Sequence, residues 1–207
     1  MDKKINNNGH DYVDLELPSH TLWATMNVGA SKPSEFGLYF QWGDTKGYSE
    51  EQIGTGGGQK KFFWTDYKWN PSGDGDTFTK YTNPGDTLEL EDDAAHVHME
   101  GDWHIPTPTQ IQELLDNTIS SWTTSDDGIN GMIFISKKDT SKSIFIPAAG
   151  IAWNGCVAFS YSDGNVWSSM LDRCFENSSE NLCFYQNHVY IDYYNRSDGF
   201  PVRGVIG

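Results

Sequence analysis

Histidine and acidic side chains cluster near the middle of the chain, in the segment H-V-H-M-E-G-D-W-H. His96, His98, Glu100 and His104 offer the nitrogen and carboxylate ligands that zinc takes. Their spacing matches no established motif such as H-E-x-x-H. We therefore expect these side chains to lie on the surface or at a helix end, and we predict no metal ion and no cofactor.

A second acidic group, Glu89, Glu91, Asp92 and Asp93, could hold calcium. It lacks the Asp/Asn-Gly loop pattern of known calcium sites. Acidic residues are favourable at the positive end of a helix. The segment E-D-D-A-A-H-V, residues 91–97, is therefore predicted to begin a short helix whose start is solvated.

Catalytic arrangements are not evident. Ser19 and His20 are adjacent, but a nucleophile and its base must meet in space beside an orienting third group, which adjacency does not show. The glycine run G-T-G-G-G lacks the Lys-Ser/Thr of a phosphate loop. We predict no catalytic residues and no enzymatic activity.

The charge balance narrows the range of partners. The chain has 14 Lys+Arg against 29 Asp+Glu, a formal net charge of −15. Such a field repels phosphate backbones and anionic lipid surfaces, so we expect no nucleic-acid partner. No apolar run approaches the roughly 18 residues that span a bilayer, which predicts no membrane insertion.

The first ten residues carry charge without an apolar segment behind them, so no secretion signal is expected in this chain. Three cysteines without a C-x-x-C pair favour a reducing compartment. The predicted location is cytoplasmic, or the cell surface if a signal or anchor was removed.

One helix is strongly indicated in T-P-T-Q-I-Q-E-L-L, where Thr107 can cap the start and Pro108 takes the first helical position. Gln110 closes a capping box, and apolar residues follow at helical spacing. Strands are predicted at 12–17 and 22–28, and a hairpin joins 131–136 to 143–147.

The domain organisation follows from composition. Residues 1–10 are predicted to be a disordered tail, and residues 11–207 a single domain. Residues 44–87 are rich in Gly, Asp, Pro and Thr, which indicates a loop-rich insertion. The segment F-F-W, residues 62–64, is expected to attach this insertion to the core.

The C-terminal stretch has the composition of an interface. Four of the ten tyrosines lie within 181–198, and no lysine follows Lys142; aromatic enrichment with lysine depletion is typical of binding surfaces. A hairpin turning near Gln186-Asn187 would separate two faces. The face predicted to be buried comprises Leu182, Phe184, Val189 and Ile191. The face predicted to be exposed comprises Asn181, Cys183, Tyr185, His188, Tyr190 and Asp192. The alternative is a polar β face that binds nothing.

Several segments resemble one family in the same order along the chain, from about residue 11 to 205. They include D-Y-V-D-L-E-L-P-S-H-T-L-W-A-T-M-N-V-G-A, G-L-Y-F-Q-W-G, G-D-W-H-I-P-T-P-T-Q and G-F-P-V-R. This is the Fibrobacter succinogenes major paralogous domain family. His20, Met26 and His104 depart from its usual Gly, Cys and Arg. The resemblance implies an α+β, C-type-lectin-like fold of the formylglycine-generating-enzyme superfamily type, with mixed short strands and two helices.

Many members of this family are variable proteins of diversity-generating retroelements in gut Bacteroidales and their phages. The resemblance therefore implies a ligand-binding protein, virion-associated or at a cell surface, with a variable region at about 157–198. Its expected ligand is a protein or glycan on a cell surface. The residues expected to contact it are Asn181, Cys183, Tyr185, Asn187, His188, Tyr190, Asp192, Tyr193, Tyr194, Asn195, Ser197 and Asp198, all compatible with mutated Asn-type codons.

Two other classes compete with this interpretation. One is a carbohydrate-binding or structural surface domain of fixed specificity on the same scaffold. The other is an enzyme similar to the formylglycine-generating relatives, which need a closely set cysteine pair that Cys174 and Cys183 do not match. Trp103, Trp167, Phe200 and Val202 are predicted to be core. The N- and C-terminal strands are predicted to pair, so that 12–17 and 199–205 lie close together.

Overall fold

The computed structural model describes residues 5–207, in which short β-strands predominate and two α-helices complete an α+β arrangement. The helices are α1 (Ala94–Met99) and α2 (Pro108–Asn117). The strands are β1 (Ile5–Asn7), β2 (His10–Asp14), β3 (Leu22–Ala24), β4 (Phe40–Gln41), β5 (Thr118–Thr124), β6 (Asn130–Ser136), β7 (Ser143–Pro147), β8 (Ile151–Trp153), β9 (Cys156–Ala158), β10 (Asp163–Leu171), β11 (Ser178–Tyr185), β12 (His188–Asn195), β13 (Gly199–Phe200) and β14 (Val205–Ile206). Within the described residues, no helix is both long and apolar enough to cross a bilayer.

The strands form four sheets, with the orders β1-β2-β3-β14, β10-β11-β12, β4-β13-β8-β9 and β5-β6-β7. The first sheet brings the two ends of the chain together. The predicted pairing of N- and C-terminal strands is confirmed, because β14 pairs with β3. Strand β3 also pairs with β2, so residues 12–17 lie one strand away from the C-terminal strand. The predicted tail over 1–10 is wrong in part, since Ile5–Asn7 pairs with β2. Residues 1–4 lie outside the described residues.

Helix α2 begins where the sequence predicts. The Thr107 hydroxyl accepts from the Gln110 backbone N–H at 3.2 Å, and the Gln110 side-chain oxygen accepts from the Thr107 N–H at 2.9 Å. This reciprocal capping satisfies two N–H groups that the first helical turn leaves free. Ile111 and Leu114 are buried under the sheets β5-β6-β7 and β10-β11-β12. The hairpin of β6 and β7 is confirmed.

Helix α1 starts at Ala94, three residues later than the predicted start at Glu91. Asp93 is its N-cap, because its carboxylate accepts from the N–H groups of His96 at 2.9 Å and Ile105 at 2.8 Å. Residues Leu90–Asp92 form a separate 3-10 turn. The acidic residues therefore precede the helix instead of occupying its first turn.

A second apolar cluster joins α1 to the C-terminal strands. Trp103, Trp167, Phe200 and Val202 are fully buried in it, as predicted. The rings of Trp167 and Phe200 pack in a tilted arrangement, with centroids 4.4 Å apart and 48° between their planes. Phe200 lies five residues after the end of β12, so this packing holds the chain that leaves the C-terminal hairpin in the core.

The insertion at 44–87 consists of loops with two 3-10 turns, Glu50–Gln52 and Trp64–Asp66. Phe62 is fully buried in an apolar cluster with Tyr39, Ala149 and Ala152, whereas Phe63 is exposed. Of the predicted F-F-W attachment, Phe62 is the residue that enters the core.

Candidate binding surface on the C-terminal hairpin

Strands β11 and β12 form a regular hairpin that turns at Gln186 and Asn187, as the alternation predicts. Eight residue pairs align without a bulge, from Ser178 with Asn195 to Tyr185 with His188. Strand β10 pairs with the other side of β11. The hairpin is therefore a rigid support, as binding sites require.

One side of this sheet, which we call the core face, packs inward. Leu182 and Phe184 are fully buried, and Val189 and Ile191 are partly buried against the same apolar cluster. Phe184 contacts the rings of Trp122 and Phe134 edge to face. The predicted burial of this side is confirmed.

The opposite side, which we call the tyrosine face, carries Asn181, Cys183 and Tyr185 on β11 and His188, Tyr190, Asp192 and Tyr194 on β12. Near the turn its side chains are open to solvent: Tyr185 is 37% exposed and Tyr190 is 38% exposed. The Tyr185 ring lies 4.6 Å from His188 and 6.2 Å from Tyr190, measured between centroids. Three aromatic rings thus form one exposed cluster.

The other end of the tyrosine face is covered, so the predicted exposure of Asn181 and Cys183 is wrong. The Asn181 amide donates to Asn165 Oδ1 at 2.9 Å, and Asn165 donates to the Gly150 carbonyl at 3.3 Å. The segment that leads into β8 therefore lies over this part of the sheet. Burial raises the pKa of the Cys183 thiol to about 11, so Cys183 is neutral at pH 7.

Ser197 and Asp198 are also buried, contrary to prediction, because the chain enters the core directly after β12. Gln41 donates to the Ser197 carbonyl at 2.7 Å. Asp198 Oδ1 has no hydrogen-bond partner among the described residues. Burial raises the pKa of the Asp198 carboxyl to about 7. Asp198 was predicted to be at the surface because its side chain is polar, but tertiary packing places it in the interior.

Tyr193 and Tyr194 are consecutive and therefore lie on opposite faces. Tyr193 is 51% exposed beside Phe175, with ring centroids 5.7 Å apart. Tyr194 is half-buried and packs edge to face on Phe200 at 5.3 Å. The remaining predicted contact residues divide as follows: Asn187 and Asn195 are exposed, and Asp192 is half-buried.

Arg196 anchors the hairpin at its base, a role that the sequence did not indicate. Its fully buried guanidinium donates to Tyr67 Oη at 2.7 Å and to the carbonyls of Lys80, Tyr81 and Glu176 at 2.8, 2.8 and 3.0 Å. These bonds join the end of β12 to the insertion. Arginine is suited to this because its planar fork serves several acceptors at once.

Exposed aromatic residues outside the hairpin were missed by the sequence reasoning. Trp153, Phe159 and Tyr161 are 45%, 64% and 50% exposed. Phe159 and Tyr161 have φ of 60° and 69°, a conformation that bulky residues rarely adopt and that clusters at functional sites. Tyr161 lies two residues before Asp163, the register partner of Tyr185. The sequence signal that could have identified these residues is the presence of aromatic side chains within a polar turn segment.

The histidines of the central segment have separate partners. His96 Nδ1 lies 3.2 Å from the Trp103 carbonyl, His98 Nε2 lies 2.8 Å from the Thr45 carbonyl, and His104 Nδ1 lies 3.1 Å from the Asp102 carbonyl. They do not converge on a shared point.

The acidic group is organised around a lysine. The Lys80 ammonium lies 2.5 Å from Glu89, 3.2 Å from Glu91 and 2.6 Å from Asp92. Among the described residues, these three carboxylates are the ones close enough together to share a cation. Because an ammonium already sits among them, a structural role in holding the insertion explains the cluster.

Comparison with known proteins gives no match, whether with family models, curated proteins or solved structures. The geometry of the hairpin therefore carries the functional argument.

Proposed function

We propose that this chain is a ligand-binding domain with a C-type-lectin-like fold, which recognises its ligand through the exposed end of the tyrosine face. The single observation that carries the proposal is the aromatic cluster of Tyr185, His188 and Tyr190 on a rigid hairpin. Tyrosine gives much contact area at low entropy cost and ends in a hydroxyl. Exposed aromatic clusters usually mark contact sites.

The resemblance to the Fibrobacter succinogenes major paralogous domain family supports a more specific role. In that role the chain is the variable protein of a diversity-generating retroelement, on a virion or a cell surface. The exposure pattern favours variation at Tyr185, Asn187, His188, Tyr190 and Tyr193, where new side chains reach solvent. Variation at buried Asn181 or Asp198 would instead change the interior.

A carbohydrate-binding domain of fixed specificity is the second candidate, favoured by the exposed aromatic side chains of Trp153, Phe159 and Tyr161. Aromatic faces give large apolar contact areas that suit sugar rings. An enzymatic function has less support. Cys174 is exposed, and Cys183 is a buried thiol whose raised pKa disfavours the reactive thiolate.

Binding to intact gut Bacteroidales cells, measured by flow cytometry with labelled protein, tests the proposal. The double change Tyr185→Ala with Tyr190→Ala should weaken binding by at least about tenfold, because aromatic anchors dominate interface energies. Leu90→Ala, which removes an exposed apolar side chain outside the hairpin, should leave binding unchanged. Equal binding by the double variant and the wild type would refute the proposed surface.

Two further readouts separate the candidates. Protease treatment of the cells abolishes binding to a protein ligand, whereas glycosidase treatment abolishes binding to a glycan. In the genome, a reverse-transcriptase gene and a template repeat that differs at adenines across codons 181–198 would identify a diversity-generating retroelement. A fixed-specificity domain would lack both.

A further inference from the structure

Strand β12 leaves one edge of its sheet free. Among residues 5–207, β12 pairs with β11 alone. Tyr185 and His188 flank a two-residue turn and so form a hydrogen-bonded pair, after which bonded and non-bonded pairs alternate. The N–H and C=O groups of Val189, Ile191 and Tyr193 therefore point away from β11. In agreement, the Tyr193 N–H donates to the neighbouring Asp192 carboxylate at 3.0 Å and not to a strand.

This edge lacks several of the features by which proteins block strand addition. Proline, lysine, bulges and very short strands are among the common protections of an exposed edge. Strand β12, H-V-Y-I-D-Y-Y-N, has eight residues in unbroken register with β11 and contains neither proline nor lysine. Its edge is competent to pair with another extended chain.

Two grooves are lined in part by residues of β12, and they leave room next to the strand for another chain. One, of about 400 Å³, lies between Val189 and the strand β5 residues Ser121 and Trp122. The other, of about 550 Å³, lies between Ile191 and the α2 residues Gln112 and Glu113. Strand β12 spans roughly 26 Å at about 3.3 Å per residue, so an extended segment of seven or eight residues matches its length.

The charges along the second groove indicate which kind of segment can bind there. Glu113, Asp116 and Glu180 contribute carboxylates to it. Among the described residues that line it, Arg173 is the one cation, and its Nε lies 3.9 Å from Glu180 Oε1. A second copy of this chain, with a net charge of −15, would be repelled. A segment with basic side chains at alternate positions would complement the acidic wall.

We propose that the free edge of β12 binds an extended basic segment of a partner protein by strand addition. Main-chain hydrogen bonds to Val189, Ile191 and Tyr193 hold the segment, and its alternate Lys or Arg side chains face the acidic wall of α2. This site is the backbone edge rather than the aromatic cluster, so it does not depend on the function proposed above.

A matched pair of variants tests the edge directly. Tyr193→Pro removes one outward N–H without removing a bond to β11, whereas Tyr193→Ala keeps that N–H. The probe is the capped heptapeptide KVKVKVK, titrated by calorimetry. We expect Tyr193→Pro to weaken binding by about tenfold or more, because it loses one main-chain hydrogen bond to the peptide. Tyr193→Ala keeps this bond and should weaken binding by less than about threefold. Equal affinities of the two variants would overturn the proposal.

A second measurement covers the case in which Tyr193→Pro fails to fold. The same peptide, methylated at two adjacent central backbone nitrogens to block both of its edges, should bind wild-type protein about tenfold more weakly. Amide hydrogen exchange at Val189 and Ile191 should slow with the unmodified peptide only. Equal binding of both peptides, equal binding of the glutamate peptide EVEVEVE, absence of binding, or a dimer of the free chain in sedimentation would each contradict the proposal.

Discussion

The hairpin tip, residues 185–190, and the anchor segment, residues 196–203, are separated by five residues and differ completely in environment. In the tip all residues except Val189 are exposed. In the anchor segment every residue is buried, including Arg196, Asp198 and Arg203. Both segments mix polar and apolar residues, so composition does not distinguish them.

The difference teaches that polar residues serve two purposes in this C-terminal stretch. At the tip they face solvent and are available to a ligand. In the anchor segment the two arginines donate to other buried groups: Arg203 donates to the side-chain Oδ1 of Asn27 at 2.9 Å and to the Ala24 carbonyl at 2.9 Å. Buried charges are tolerated where hydrogen bonds compensate their desolvation. Substitutions at the tip should therefore change ligand binding more than stability, whereas substitutions in the anchor segment should change stability more than ligand binding.

Arg196→Ala should have the largest effect on stability. It leaves the carbonyls of Lys80, Tyr81 and Glu176 without their donor, so we expect a loss of roughly 3–5 kcal/mol in the free energy of unfolding. Urea denaturation followed by tryptophan fluorescence measures it. Arg173→Ala, at an exposed arginine, should change stability by less than about 0.5 kcal/mol. Similar losses of stability in both variants would show that buried Arg196 stabilises the fold no more than an exposed arginine does.

Asp198 should make stability depend on pH. Burial raises the pKa of its carboxyl from 3.8 to about 7, so the native state holds a proton that the unfolded chain releases. Its stabilising contribution is complete below about pH 4 and is lost as the pH rises through 7, with an upper bound of roughly 4 kcal/mol. Asp198→Asn cannot titrate. The stability difference between wild type and this variant should therefore fall between pH 4 and 7; a constant difference would show that Asp198 is solvated.

Tyr193 and Tyr194 lie between the two segments, and substitutions there test where the buried part of the hairpin begins. Tyr194→Ala removes an edge-to-face contact with Phe200 and should cost about 2 kcal/mol. Tyr193→Ala, at an exposed site, should cost about 0.5 kcal/mol. Thermal melts of the two variants provide the measurement. If Tyr194→Ala is as stable as Tyr193→Ala, the covered end of the tyrosine face is open in solution.

Features set by neighbouring residues were predictable. The capping box of Thr107 and Gln110 and the two-residue turn at Gln186-Asn187 depend on contacts within a few positions. The alternation of Leu182 and Phe184 with polar residues gave the two faces of the sheet. The start of α1 was misplaced because Asp93, as its cap, also binds the N–H of Ile105, twelve residues away.

The sequence by itself therefore determined the hairpin, its turn and the separation of its two faces, because a strand alternates its side chains with a period of two. Only the tertiary structure decided which end of the tyrosine face reaches solvent. Asn181 is covered by the segment that leads into β8, and Tyr194 by Phe200, through contacts between residues distant along the chain. Such long-range packing leaves no local pattern, so the polar types of Asn181, Ser197 and Asp198 suggested exposure while the fold placed them inside.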